Sequence, residues 1–464
     1  MFKKFTNGCV RVVNRWLPDA FLFAIILTIV VFIGALIATG LPVISVDGST
    51  SILDAWGNGK GFWSLLGFAM QMALVVVFGS AAASSKPMKK VLRGIASICH
   101  NNMQAIVVTT VVSTICCWLN WGFGLVVGAL LAKEVVKRVP TVDYPLLIAS
   151  AYSGFVIWHV GMSGSIPLKL TGAGTTFGDV AYTAEISQTI LHPMNLIMCA
   201  VILVFMPLVN WAMHPTKDRT VTIDPALLQD EAEKVYTDPK DRTPAEKMEF
   251  SKILWIITWA MGFAYIILYF IQKGKQGVSV GNSLNLDIVN MIFLFLGILL
   301  HGSIRRYVDA IADAASGAAG ILLQFPFYAG IMGMMVAAND QGVSLASVIS
   351  NFFVSISNNI TFPMLTFLAA GIVNFFVPSG GGQWAVQGPI MMPAGAALGI
   401  DPGRTAMAIA WGDQWTNMIQ PFWALPALAI AKLSARDVMG YLVIVLIFTG
   451  IVACLGFLAW GLWF

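Results

Sequence analysis

Long apolar stretches recur along the chain at lengths suited to crossing a bilayer, and polar residues collect in a few short breaks. Continuous hydrophobic runs cover residues 21–39, 62–82, 190–213, 253–271, 288–300 and 441–464. A helix rising about 1.5 Å per residue needs about 20 residues to cross hydrocarbon about 30 Å thick, so these runs predict transmembrane helices. Other apolar segments are interrupted by Gly, Pro or Asn. The most polar interruption is Asn374-Phe-Phe-Val-Pro-Ser-Gly-Gly-Gly-Gln-Trp-Ala-Val-Gln-Gly-Pro389, set between two segments apolar enough to enter the membrane. Backbone without helical hydrogen bonds survives at that depth only where protein buries it or where it lines a watery cavity. The break is therefore expected to form a binding site, with glycines exposing amide N–H groups to a small anion such as a carboxylate.

Composition sharpens this picture. Hydrophobic residues make up 58% of the 464 residues and charged residues 11%, with a mean hydropathy of +0.79, whereas soluble domains carry about 25% charged residues. An all-α polytopic membrane protein embedded in lipid is predicted. A net charge of +4 over this length gives no footprint for nucleic acid. Basic residues Lys3, Lys4, Arg11 and Arg15 precede the first run, and Lys86, Lys89, Lys90 and Arg93 follow the second, with only Lys60 in the loop between them. The positive-inside rule then puts the N-terminus and the turn after the second span in the cytoplasm of a multi-pass protein. The first run is too long for a signal-peptide core and is read as a retained span. Residues 214–252 hold seven basic and nine acidic residues and no spanning pattern. They divide the chain into a first transmembrane repeat (1–213), a cytoplasmic linker (214–252) and a second repeat (253–464). The six cysteines show no metal-type spacing and read as small apolar packing groups. No His-Glu-x-x-His pair and no evident Ser and His nucleophile arrangement is found, so no enzyme activity is expected.

The halves echo each other. Gln71 corresponds to Gln324 at a separation of 253 residues, Asn120 to Asn374 at 254, and the segment ending at Pro167 to that ending at Pro426 at 259. The basic residues run the Gln71 helix inward and the Gln324 helix outward, which makes the two copies inverted-topology repeats. Paired glycine-broken segments at corresponding places in inverted halves point to a midplane substrate site in a secondary transporter.

Two pairs of segments carry the candidate chemistry. The first is Asn120 with Gly122 and Gly124, matched by Asn374 with Ser379, Gly380, Gly381, Gly382 and Gln383. The second is Ser163 and Ser165, in the run before Pro167, matched by Asp413, Trp415, Thr416 and Asn417. A carboxylate inside a membrane is a functional candidate by default. Asp413 is expected to take a proton or to help Thr416 and Asn417 coordinate Na⁺. The rest of the set is expected to bind substrate. Lys169 can attract an anion or reach the surface, and His159 and His192 are candidate proton relays. Trp384, Trp411, Trp415 and Trp423 can wall an apolar pocket for a short alkyl tail. Neither broken region contains an Arg able to clamp a carboxylate with two bonds, which favours a monocarboxylate. These residues need no organic cofactor, only H⁺ or Na⁺ as coupling ion. A cation/proton antiporter using Asp413 with no organic substrate remains open on the residues alone, as does a passive channel.

Several longer strings are specific: Arg15-Trp-Leu-Pro-Asp19, Asn120-Trp-Gly-Phe-Gly-Leu-Val-Val-Gly-Ala129, Asp143-Tyr-Pro-Leu-Leu-Ile-Ala149, Gln324-Phe-Pro-Phe-Tyr-Ala-Gly-Ile331, Val377-Pro-Ser-Gly-Gly-Gly382 and Gln420-Pro-Phe-Trp-Ala-Leu-Pro-Ala-Leu-Ala429. Through them the chain resembles, nearly end to end, the bacterial short-chain fatty acid transporter family. The resemblance implies uptake of butyrate- or acetoacetate-like monocarboxylates across the cytoplasmic (inner) membrane. Through the wider ion transporter superfamily it also implies broken helices or re-entrant hairpins, an elevator-type transporter and a homodimer.

Overall fold

The computed structural model describes residues 20–463 apart from 60, 65, 171–173, 178–179, 225–227, 229–233, 279, 281–282, 284–285 and 376–379. The basic N-terminal residues and Ser379 lie outside the described residues. In the first half the helices are α1 (Ala20–Thr39), α2 (Ile52–Gly57), α3 (Leu66–Ser84), α4 (Lys86–Ala96), α5 (Asn102–Leu119), α6 (Trp121–Arg138), α7 (Tyr144–Ser153), α8 (Ser165–Lys169) and α9 (Pro193–Ala212). A short antiparallel hairpin, β1 (Thr175–Phe177) with β2 (Val180–Tyr182), pairs Thr175 with Tyr182 and follows α8. The second half holds α10 (Pro244–Glu249), α11 (Lys252–Lys275), α12 (Leu286–His301), α13 (Ile304–Ala315), α14 (Ala319–Val336), α15 (Leu345–Ser355), α16 (Phe362–Asn374), α17 (Gly380–Ala397), α18 (Pro402–Thr416), α19 (Pro421–Ala431) and α20 (Ala435–Trp463).

Every apolar run of the sequence falls on one of these helices. Among the described residues, five helical stretches are long and apolar enough to cross a membrane, or six if the pair α3 and α4, bent by 75° at Ser85, counts as one. The chain is a helical, multi-pass membrane protein. Helix starts follow local chemistry: the side chains of Asn101, Asn120, Asp143 and Asp401 each accept a backbone N–H in the first turn of the helix they precede, satisfying donors that have no partner inside the helix.

The order helix, break, helix, loop, helix, break, helix occurs twice. It runs α5, Asn120, α6, α7, the segment 154–164 and α8 in the first half, and α16 to Asn374, α17 from Gly380 with residues 376–379 outside the described set, α18, the segment 417–420 and α19 in the second. Two boundaries differ from the expectation drawn from sequence. Gly380–Gly382 are the first turn of α17 and not open loop. Asp413 lies in the last turn of α18, which unwinds only beyond Thr416. Glycine is a poor helix former in a helix interior, but the first turn needs no intrahelical N–H bonds, so the run is tolerated there.

The interior is held by polar ties as well as by apolar packing. Asn210 Nδ2 on α9 donates to Thr110 Oγ1 on α5 (3.0 Å) and to Ser153 Oγ on α7 (2.8 Å). Tyr144 OH on α7 donates to Ala431 O at the end of α19 (3.0 Å), and Tyr441 OH on α20 donates to Asp143 Oδ1 (3.2 Å). The linker docks through Tyr236 and Lys234, both of which meet the carboxylate of Asp309 on α13.

Gly154, at the end of α7, sits against α5 so closely that an added Cβ would lie 2.7 Å from Ser113 Oγ and 2.5 Å from Thr114 N. Overpacking of this kind costs about 1–3 kcal/mol or more. Gly154→Val is therefore expected to lower the apparent melting midpoint in detergent and the yield of monodisperse protein. Gly94→Ala, where a Cβ would meet nothing within 4 Å, should leave both unchanged or slightly raised.

Candidate functional site

The break in the first half is built around residues whose backbone has left the helix. After Ser153 the chain makes one 3₁₀ turn, Gly154–Ile157, and then tight turns through residues 158–164 before α8 begins at Ser165. Its freed N–H groups are met by side chains and carbonyls from elsewhere. Gln414 Oε1 on α18 accepts from both His159 N (2.9 Å) and Val160 N (3.2 Å). Trp118 O at the end of α5 accepts from Met162 N (2.8 Å), and Ser163 Oγ accepts from Trp121 N at the start of α6 (3.1 Å). The turn between α5 and α6 is thereby fastened to the break. Asn120 caps α6, its Oδ1 accepting from Phe123 N (3.0 Å). Gly122 is buried in the first turn of α6. A Cβ on Gly124 would run into the backbone and thiol of Cys117, so that glycine lets α5 and α6 pack backbone to backbone.

Two fully buried ionisable side chains meet here across the halves. His159 Nδ1 lies 2.5 Å from Asp413 Oδ2. On its other side, His159 Nε2 is 2.8 Å from Ser165 Oγ and accepts from Ile166 N at 3.1 Å. Trp158 stacks on the imidazole at 4.2 Å between ring centroids and 5° between planes, and Trp121, Phe155 and Trp423 continue the aromatic cluster at 5.4–5.7 Å from Trp158. Asp413 Oδ1 makes no hydrogen bond among the described residues.

The second break is tied together by Asn374. Its Nδ2 donates to Asp413 O (2.7 Å) and Thr416 Oγ1 (2.9 Å), and Asn417 Nδ2 donates to the same Asp413 carbonyl (2.8 Å). Thr416 Oγ1 donates to Gly371 O (2.9 Å), Gln420 Nε2 to Asn374 O (2.5 Å), and Tyr152 OH of the first half to Asn417 O (2.7 Å). The side chains of Thr416 and Asn417 thus serve the backbone of the break, while the carboxylate of Asp413 turns to His159.

The glycine run stands against this cluster. A Cβ on Gly380 would lie 2.7 Å from both His159 Nε2 and Ser165 Oγ. At Gly381 the nearest atom would be Lys169 Nζ at 3.6 Å. The start of α17, with the positive end of its dipole, therefore adjoins His159, Ser165 and Lys169. Gly382 continues that turn. Gln383 anchors it, Nε2 donating to Ala370 O and to Gln387 Oε1 (both 2.8 Å). Trp384 Nε1 reaches Thr175 Oγ1 of the β-hairpin at 3.4 Å.

The structure brings Ser165, Gly380, Gly381 and Asp413 together, with Asn374 and Ser163 one layer away as organisers of the breaks. Trp415 points elsewhere: its Nε1 donates to Leu446 O (2.7 Å), and its ring fills the space against Gly371 and Gly450. His192 caps α9 and stacks on Trp460. Gln414 had no distinguishing mark in the sequence. His159 and Lys169 were weighed there only as single polar residues in apolar surroundings.

With this geometry in view, known proteins decide the family. The family model for short chain fatty acid transporters matches residues 1–460. The chain belongs to the short-chain fatty acid transporter family. It is 44% identical over 456 residues to an Escherichia coli K12 protein provisionally named a short-chain fatty acid transporter, covering 98% of this chain and 99% of that one. A Haemophilus influenzae protein with the same provisional name is 42% identical, again over 98% of this chain and 99% of its own length. Among solved structures the chain is similar to the YdaH transporter of Alcanivorax borkumensis, at 16% identity and a TM-score of 0.47 over 96% of this chain and 98% of that chain. Membership makes the protein a transporter and not an enzyme, with a small-molecule substrate and lipid as its surroundings.

The fit around the glycines makes a graded prediction for this family member. Gly380→Ala should cut the initial rate of substrate exchange in proteoliposomes by at least about tenfold, the loss of one strong hydrogen-bonded arrangement. Gly381→Ala, whose methyl reaches only the end of a flexible lysine, should stay within about threefold by the same scale.

Proposed function

We propose that this chain imports short-chain monocarboxylates such as butyrate and acetoacetate across the cytoplasmic membrane, driven by a gradient of H⁺ or Na⁺. The observation that carries the reading is the first turn of α17 lying beside Lys169, Ser165 and His159. A helix N-terminus offers several N–H donors and a partial positive charge to an anion, and Lys169 adds one full charge. One carboxylate is held by this set. A second would face Asp413 with no further cation, because residues 154–164, 375–379 and 417–420 contain no Lys or Arg. The aromatic cluster of Trp121, Phe155, Trp158 and Trp423 supplies the apolar, water-poor wall that a short alkyl tail needs.

The twice-repeated order of helices and breaks supports two repeats, and the basic residues flanking the first two apolar runs favour inverted topology with the N-terminus and the linker in the cytoplasm. In that arrangement the two turns at Asn120 and Asn374 are the tips of paired hairpins meeting near the midplane, and the substrate is handed across with the breaks as its cradle.

The test is counterflow of labelled butyrate in proteoliposomes, read as an initial rate. Butyric acid crosses lipid unaided in its neutral form, so protein-free vesicles loaded alike are the blank. Exchange well above that blank is expected, competed by acetoacetate and propionate and not by succinate or lysine. Lys169→Ala should weaken competition about tenfold, as for a charged hydrogen bond. Rates equal to the blank would refute the reading.

A further inference from the structure

The hydrogen bonds around His159 fix where its proton sits. A backbone N–H can only donate, and Ile166 N–H points at Nε2 from 3.1 Å, so Nε2 carries a lone pair. The ring proton is then on Nδ1, directed at Asp413 Oδ2 2.5 Å away. The network assigns a neutral imidazole that donates through Nδ1 to Asp413, and Lys169 nearby is the cation that an ionised Asp413 balances. The opposite tautomer would set two N–H groups head to head.

We propose that Nε2 of His159 accepts the coupling proton, and that it does so together with the substrate carboxylate; the proposal rests on the transport reading above. A proton from water adds to the Nε2 lone pair and leaves the Nδ1–H bond to Asp413 intact. Ile166 N–H loses its acceptor, and the new Nε2–H becomes a donor beside Gly380, where the carboxylate binds. Charge decides the coupling. Lys169 and Asp413 cancel in the empty site, a carboxylate alone leaves one negative charge in a water-poor interior, and a carboxylate with one proton restores neutrality. Isolated buried charge is strongly disfavoured, so the anion and the proton enter as a pair.

Of the ionisable groups around the site, His159 and its partner Asp413 are the two that can take this proton, and the variants below separate them. Helices α16, α17 and α19 carry no ionisable side chain. On α7, Tyr152 has its hydroxyl engaged by Asn417 O. Lys169 on α8 faces Gly381, and α18 contributes Asp413 and, at its far end, Arg404. Cys117 on α5 lies under Gly124, Cys116 precedes it in that helix, and His192 caps α9.

Calorimetry of butyrate binding to the purified full-length protein, repeated in buffers of different ionisation enthalpy and in Na⁺ or choline salts, counts the protons taken up. About one proton per butyrate is expected, independent of Na⁺, with affinity falling about tenfold per pH unit in the alkaline range, as linkage to one proton requires. His159→Gln should bind about tenfold more weakly, with proton uptake near zero and a flat pH profile, and Asp413→Asn should also lower the count. Binding by the wild-type chain with no proton uptake, or a wild-type count in His159→Gln, would overturn the proposal whether or not the variants bind well. A wild-type chain that binds no butyrate would instead remove the carboxylate reading, and this inference with it.

Discussion

A chain that leaves its helix inside hydrocarbon must find partners for each freed N–H and C=O from the protein itself, and the architecture around residues 154–164 and 375–420 follows from that requirement. The single oxygen of Gln414 receives two successive N–H groups of the first break. The amide of Asn374 receives no backbone donor but supplies one to the Asp413 carbonyl, Gln420 returns the favour to Asn374, and Tyr152 covers Asn417. Nearly every one of these bonds crosses from one segment to another, and those of Gln414 and Tyr152 cross from one half of the chain to the other.

The ionisable pair is a consequence of this lattice as well as part of it. His159 is held from three directions, by Gln414 through its backbone, by Asp413 through Nδ1 and by Ile166 through Nε2. A ring so placed cannot swing to a different partner without breaking backbone hydrogen bonds. Gly380 fits because a Cβ there would run into a ring fixed in this way. The first turn of α17 and the ionisable pair are thus one construction, brought together by packing at Gly380.

Much of this was legible in the sequence. The apolar runs fell on helices because span length and hydropathy are local properties, and Asn374 and Asp413 stood out because polar side chains in such runs are rare. The pairing of His159 with Asp413 was not legible, since the two lie 254 residues apart and local patterning says nothing about which polar residue meets which. Gly380–Gly382 read as open loop because propensity describes helix interiors and not first turns. Trp415 read as a pocket wall, but the direction of a large ring is decided by where neighbours are small, here Gly371 and Gly450. The signal for Trp158 was weaker still: an aromatic next to a histidine is unremarkable until the backbone turns bring the two rings face to face.

The double bond to Gln414 also orders events during synthesis. Residues 159 and 160 reach the membrane with their N–H groups unmet, and their acceptor is made about 254 residues later. At roughly 5–20 residues per second that interval is on the order of 10–50 s. Throughout it the first half must keep its 158–164 segment hydrated or folded back on other donors and acceptors. The junction between the two breaks is therefore among the last parts of the molecule to be assembled, and an early block in translation yields membrane-inserted helices with no junction between them.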